Sequence, residues 1–238
     1  MCQKNDIIYK NVKKDEVKME RSKVIIDLIK DQITVIQAMN ILKLLLQDCK
    51  NEKVLNWINK EIDGYKEDDI VPKYRIVSCS ITGNIKAGYW VVSQMNIPIK
   101  DEFKKFVMNY EVRFGLNSIY QYSLAEEKEK SHRLMLDIPL DYINAISLVA
   151  GEVTHAKREL SVYAFTNILN DLKPIILNIF IELEKNYGNL DKYYIDMSDK
   201  KKNRDINQFI INIIEDNSIK LGDNNIVKNS NIGENNEN

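Results

Sequence analysis

The sequence predicts an α+β fold, mostly helical, with a small antiparallel sheet around residues 74–95 and a long C-terminal helix. Three observations carry this. Apolar residues recur at three- and four-residue spacing from Ser22 to Tyr65. The stretch "YRIVSCSITGNIKAGYWVVSQMNIPI" from Tyr74 is rich in β-branched and aromatic residues, with Gly83-Asn84 and Gly88 as turn points. Helical spacing then returns from Ser161 through Val162, Phe165, Ile168, Leu169 and Leu172 to Leu183. With 238 residues, 44% of them hydrophobic, the chain has enough apolar material for a core that needs no metal or disulfide staple.

Residues 1–21 are charged and poor in large apolar groups, and read as a loosely ordered arm. In the first helix Val24, Ile25, Leu28 and Ile29 form a stripe. The second opens at Thr34, a side chain suited to capping, and buries Val35, Met39, Leu42, Leu46 and Cys49. The third is "NEKVLNWINKEIDGY", residues 51–65, with Val54, Trp57, Ile58, Ile62 and Tyr65 on one face and Gly64 placed to end it. An acidic turn, "KEDD" from Lys66, and Pro72 lead into the strands. Residues 101–115, 117–127 and 139–150 read as further helices. Ser161 is positioned to cap the long helix, which Pro174 should bend or break. The main domain therefore spans 22–188. Residues 189–238 form a Lys/Asn-rich tail, expected to be disordered or oligomerising; Ile213, Ile219, Ile226 and Ile232 could stack between copies of the chain.

Charge and motif content narrow the function. Thirty-four basic against 35 acidic residues disfavour duplex nucleic acid as a partner, since such binders carry a basic excess. Three scattered cysteines and a polar first dozen residues point to a reducing cytoplasm. The most apolar run, "PIILNIFIELE" from Pro174, is about half of the roughly 20 residues that span a bilayer, so it reads as a buried helix. His132 and His155 belong to no metal-binding pattern, and no phosphate-binding loop or G-x-S-x-G occurs. Cys79 reads as a small hydrophobe in a strand. Asp63, Glu67, Asp68 and Asp69 sit on a polar face or in a turn, and Glu126-Glu127-Lys128 lies in a solvated charge run. No catalytic residue, metal ligand or cofactor is assigned.

Glu61 is different, because it lies inside the apolar stripe of the third helix, between Trp57 and Tyr65. A buried carboxylate is costly unless paired and hydrogen-bonded. Arg75, on the first strand beyond the acidic turn, is the natural partner, and the pair reads as a clamp between helix and hairpin.

The same stretch resembles the AbiTii domain. The pattern is W-I-x-x-E-x-x-G-Y, an acidic turn, then P-x-Y-R and a following glycine: Trp57, Ile58, Glu61, Gly64, Tyr65, Pro72, Tyr74, Arg75 and Gly83. The helix pair before it, "IPI" at 97–99 and "FIELEKNYG" at 180–188 extend the likeness over residues 22–188, with Lys173-Pro174 as a departure. The resemblance implies abortive-infection defence against bacteriophage, with a companion protein of a two-component system and a phage-derived trigger as partners. It brings no catalytic residues. The favoured reading is a component acting through protein–protein contacts. A toxin-type effector with nuclease or other hydrolase activity, and an oligomeric scaffold or sensor, are the alternatives. Tyr89 and Trp90, near the hairpin turn, are the candidate partner surface, with at least one of them expected to pack into the core.

Overall fold

A computed structural model describes residues 20–124 and 133–216. Three helices open it: α1 (Lys23–Ile29), α2 (Val35–Leu45) and α3 (Glu52–Asp63). The second and third begin where a local side chain satisfies their free amides. Thr34 Oγ1 accepts the Gln37 N–H at 3.2 Å while Gln37 Oε1 accepts the Thr34 N–H at 2.8 Å, a reciprocal capping box. Asn51 Oδ1 accepts the N–H groups of Lys53 and Val54. Gly64 ends α3 at φ 108°, which a side chain would strain.

The chain continues through β1 (Ile76–Ser78), β2 (Ser80–Ala87), β3 (Trp90–Asn96), α4 (Asp101–Val107), β4 (Asn109–Glu111), α5 (Leu116–Leu124), β5 (Arg133–Asp137), α6 (Leu140–Ile146) and β6 (Glu152–Ser161). It closes on α7 (Tyr163–Tyr187) and α8 (Lys200–Asp216). β1 pairs with β4, and the other four strands form an antiparallel sheet in the order β3-β2-β6-β5. β2 and β3 are a hairpin joined by Gly88-Tyr89. Gly88 alone of the two has positive φ (63°), the pattern of a type II′ turn.

Two cores result, and α7 serves both. Its first turns place Phe165 and Ile168 against the sheet, with Ile81, Ile97, Val153, Ala156 and Leu160. Its later turns place Leu172, Ile176, Phe180 and Leu183 among α1, α2, α3 and α8. At about 1.5 Å per residue, its 25 residues make a spine roughly 37 Å long.

The structure agrees with the predicted α+β class and corrects several elements. The hairpin is half of a larger sheet, whose strands β5 and β6 the sequence reading did not contain. Residues 101–115 are not one helix: α4 stops at Val107 and β4 follows, because Tyr110 pairs with Val77 alongside the end of the helical layer. Ile29 is exposed and takes no part in the α1 stripe. Ser161 ends β6 yet still accepts the Tyr163 N–H on its hydroxyl, at 3.3 Å. Pro174 does not break α7. Pro174 and Asn170, whose carbonyl would have bonded to residue 174, are both on the exposed side, so water can satisfy the freed acceptor.

The termini are corrected too. Residues 189–216, expected as part of a tail, belong to the fold: Leu190 and Ile195 are buried, and α8 buries Ile206 and Ile210 with Ile213 and Ile214 packed beside them. At the other end, Arg21 and Ser22 are anchored. Glu184 Oε1 accepts the Ser22 N–H (2.6 Å) and hydroxyl (2.7 Å), and Oε2 meets Arg21 Nη1 at 2.5 Å. Residues 1–19, Glu126-Glu127-Lys128, His132, Ile219, Ile226 and Ile232 lie outside the described residues.

Ile210→Ala should lower stability by about 2–5 kcal/mol, measured as a denaturant midpoint, because Ile210 has no exposed surface and its removal leaves a cavity. A change within 0.5 kcal/mol would mean that α8 is not part of the core.

Glu184 gives a pH dependence with a definite sign. Burial by itself would raise its carboxyl, but the Ser22 bonds and Arg21 outweigh it and hold the group below its ordinary 4.5. Its contribution is therefore complete above about pH 4.5 and lost as pH falls through the lower folded value. Glu184→Gln should melt below the parent at pH 7, and the gap should narrow below pH 4.5; a gap independent of pH would refute the assignment.

Candidate functional site

Two places in the fold concentrate chemistry: the junction between α3 and the strands, and the outer side of the four-stranded sheet.

At the junction Glu61 and Arg75 have no exposed surface. Pro72 opens a short 3-10 turn, Lys73–Arg75, by accepting the Arg75 N–H at 2.9 Å, and that turn aims Tyr74 and Arg75 at α3. Arg75 uses every donor it has. Nε and Nη2 contact the Glu61 carboxylate at 3.1 and 2.7 Å, Nη2 also reaches the Glu61 carbonyl at 3.3 Å, and Nη1 donates to the carbonyls of Val112 (3.2 Å) and Phe114 (2.6 Å). On the other side, Glu61 Oε1 accepts the hydroxyls of Tyr65 (2.5 Å) and Tyr74 (2.7 Å). The indole N–H of Trp57 donates to the Tyr74 oxygen at 3.3 Å, and Arg75 lies over the Tyr65 ring at 4.9 Å.

This network holds its protons rather than releasing them. Burial, together with the adjacent Glu61 carboxylate, pushes both the Tyr65 and Tyr74 hydroxyls well above their ordinary range. Burial disfavours the Arg75 charge, yet Glu61 more than restores it, so the guanidinium stays protonated. With its donors and acceptors already committed, the cluster acts as a clamp.

Trp57, Glu61, Tyr65, Pro72, Tyr74 and Arg75 thus converge at one place, with Gly64 on its rim. A Cβ on Gly64 would stand 2.7 Å from the Arg113 carbonyl, which instead accepts the Tyr65 N–H at 2.8 Å. Gly83 is not part of this group. It lies in β2, where a Cβ would fall 2.1 Å from the His155 carbonyl of β6.

In the acidic turn beside the clamp, Asp69 is engaged, while Glu67 and Asp68 are exposed. Asp69 accepts from Lys60 Nζ at 2.6 Å and from the Lys66 N–H at 2.8 Å, and these bonds hold its carboxyl below the ordinary range. Among the described residues no three His, Cys, Asp or Glu side chains are placed to hold a metal ion. Burial raises the Cys49 and Cys79 thiols above their ordinary value, opposite to what a nucleophilic cysteine needs. Cys79 lies between β1 and β2 and donates to the Val107 carbonyl.

Among the described residues, helices cover the sheet on one side. Its other side carries a polar groove of about 640 Å³ lined by Thr82, Asn84, Asn96, Arg133, His155, Lys157 and Glu159 among others. Glu159 anchors it, accepting from Thr82 Oγ1 and Arg133 Nη1, each at 2.5 Å; the Thr82 bond and Arg133 hold its carboxyl below the ordinary range. Sequence reasoning missed this groove because β5 and β6, which form half of it, were not foreseen.

The hairpin beyond the groove is the most exposed apolar feature. Tyr89 is 104% and Trp90 79% exposed, and every residue of β3 is exposed, including Val91, Val92 and Met95. Neither aromatic packs into the core, which corrects the expectation that at least one would. No helix is long and apolar enough to cross a membrane among the described residues.

A family model described as AbiTii matches residues 22–209. No curated protein and no solved structure matches the chain. The match covers well over half of the sequence, so the chain belongs to the AbiTii family, and this membership suggests abortive-infection defence against bacteriophage. It reaches past Gly188 into α8, in keeping with the place of that helix in the core.

Glu61→Ala should destabilise the fold by about 3–5 kcal/mol, because it strands the Arg75 charge in a dry site and removes the acceptor of two tyrosine hydroxyls. Thermal melts of the variant and the parent check this. Equal melting temperatures would show that the clamp does not hold the fold.

Proposed function

We propose that this AbiTii-family chain acts in abortive infection as a non-enzymatic component that works by contact with protein, and that the β2–β3 hairpin is its contact surface. The observation that carries the reading is the pair Tyr89 and Trp90, both fully or largely exposed at a hairpin tip with no charged residue from Ala87 to Ile99. Aromatic side chains of this kind are enriched among the residues that dominate binding energy, and contiguous exposed apolar surface marks interaction sites. The buried polar cluster at the clamp supports the same reading, since its groups are engaged with one another. The partners we propose are a companion protein of a two-component system and a phage-derived trigger.

Plaque formation and survival of infected cells, with the chain expressed alone and beside its gene neighbour, test the proposal. Replacing Tyr89 and Trp90 together by alanine should abolish protection while leaving the melting temperature nearly unchanged, because neither side chain contributes to a core. Full protection by that variant would overturn the hairpin as the contact surface. Degradation of nucleic acid or nucleotides by the purified protein would overturn the non-enzymatic reading.

A further inference from the structure

Among the described residues β3 is an edge of the sheet, and no charge or proline defends it. Edge strands normally carry charges, prolines or irregularities that prevent pairing with another chain. The opposite edge, β5, follows this rule with Arg133 and Asp137. β3 does not. The thirteen residues 87–99 contain no charge, and the strand is exposed at every position. Its first irregularity is Gln94, with φ 56°, which leaves Trp90–Ser93 as the regular segment.

From this edge we infer that the hairpin pairs with a second copy of this chain, β3 against β3 in antiparallel register about a twofold axis at Val92. The inference rests on the reading of the hairpin as a protein-contact surface and names its partner.

Three observations suit the edge to a second copy. The first is charge: antiparallel self-pairing sets each residue against the same short segment, so any charge in it would face like charge, and here there is none. The second is geometry. Ala87 and Trp90 flank the two-residue turn as a bonded pair, so the alternation of an antiparallel ladder turns the N–H and C=O of Val91 and Ser93 outward. A twofold at Val92 pairs Val91 of each copy with Ser93 of the other, satisfying both outward sets. The third is area. Tyr89 and Trp90 present about 150–250 Å² each. With Val91, Val92 and Met95, each about half exposed, they form one contiguous apolar patch, and pairing covers the part of it that lies along the strand. Such a contact closes on itself, joining two four-stranded sheets into one while the charged β5 edges stay outermost.

Light scattering of the full chain across concentration should give twice 27.8 kDa. Val91→Pro removes only an outward N–H, a change that edge strands tolerate, and should return the mass to that of one chain with an unchanged circular dichroism spectrum. In a Cys2→Ser background, Val92→Cys should cross-link readily with oxidised glutathione, which takes up the two thiol hydrogens. The opposed Cα atoms of a non-bonded pair stand about 4.5 Å apart, within disulfide range. Met135→Cys on the opposite edge should not cross-link. A parent of single-chain mass at tens of micromolar, or a Val91→Pro protein that remains double, would overturn self-pairing. If the parent is single while the Tyr89/Trp90 variant still loses protection, the hairpin contacts a different protein: self-pairing fails and the contact-surface reading stands. If that variant keeps full protection, both fail.

Discussion

The charge on Glu61 is the constraint around which the two halves of this protein are joined. A carboxylate on the inner face of α3 cannot be left unpaired in a core that also holds Val54, Trp57 and Ile58. Arg75 meets it from the strand side, and the same guanidinium holds the carbonyls of Val112 and Phe114 at the exit from β4. One ion pair therefore fixes three segments that are far apart in sequence: the end of α3, the entry to β1, and the chain between β4 and α5. An apolar pair of similar size could be as stable, but it would not dictate this set of partners; five directed N–H bonds do.

The clamp matters because the fold has two cores rather than one. The helical core and the sheet core meet along α7, whose apolar face passes from Phe165 and Ile168 to Leu172, Phe180 and Leu183 without a break. A single helix shared by two cores still leaves them free to twist about its axis. The Glu61–Arg75 cluster adds a second, separate link, made of hydrogen bonds where α7 supplies apolar contact. At the far end, Glu184 ties the start of α1 to the last turns of the same helix, so the helical layer is pinned at both extremities.

How much of this was legible in the sequence follows from which forces leave a local signature. The first three helices were readable because their period is regular and their ends are marked: Thr34 with Gln37, and Gly64. Glu61 was readable because a carboxylate in an apolar stripe demands a cation, and Arg75 was the near one. The tyrosine hydroxyls and backbone carbonyls that complete the cluster were not, since nothing local says that Tyr74 turns inward. β6 left a misleading trace. Its buried apolar residues are Val153, Ala156 and Leu160, spaced by three and four, because a register shift opposite Asn84/Ile85 breaks the strand's alternation. In α8 the signal was present: Ile206, Ile210, Ile213 and Ile214 share one helical face, but the asparagine-rich composition around them obscured it.

The layout also separates what must be rigid from what can be spent on contact. β2 leaves the clamp region beside Cys79 and reaches the hairpin turn after eight residues, about 26 Å at roughly 3.3 Å per residue. Over that distance the environment changes from two residues without any exposed surface to a turn whose aromatics are open to solvent. Sites separated this far contribute independently to stability. The fold can therefore keep an uncharged, aromatic edge at one end without loosening the joint at the other. The two outer strands of the sheet differ in the same sense: β5 carries Arg133 and Asp137, whereas β3 carries no charge and bends at a bulge by Gln94.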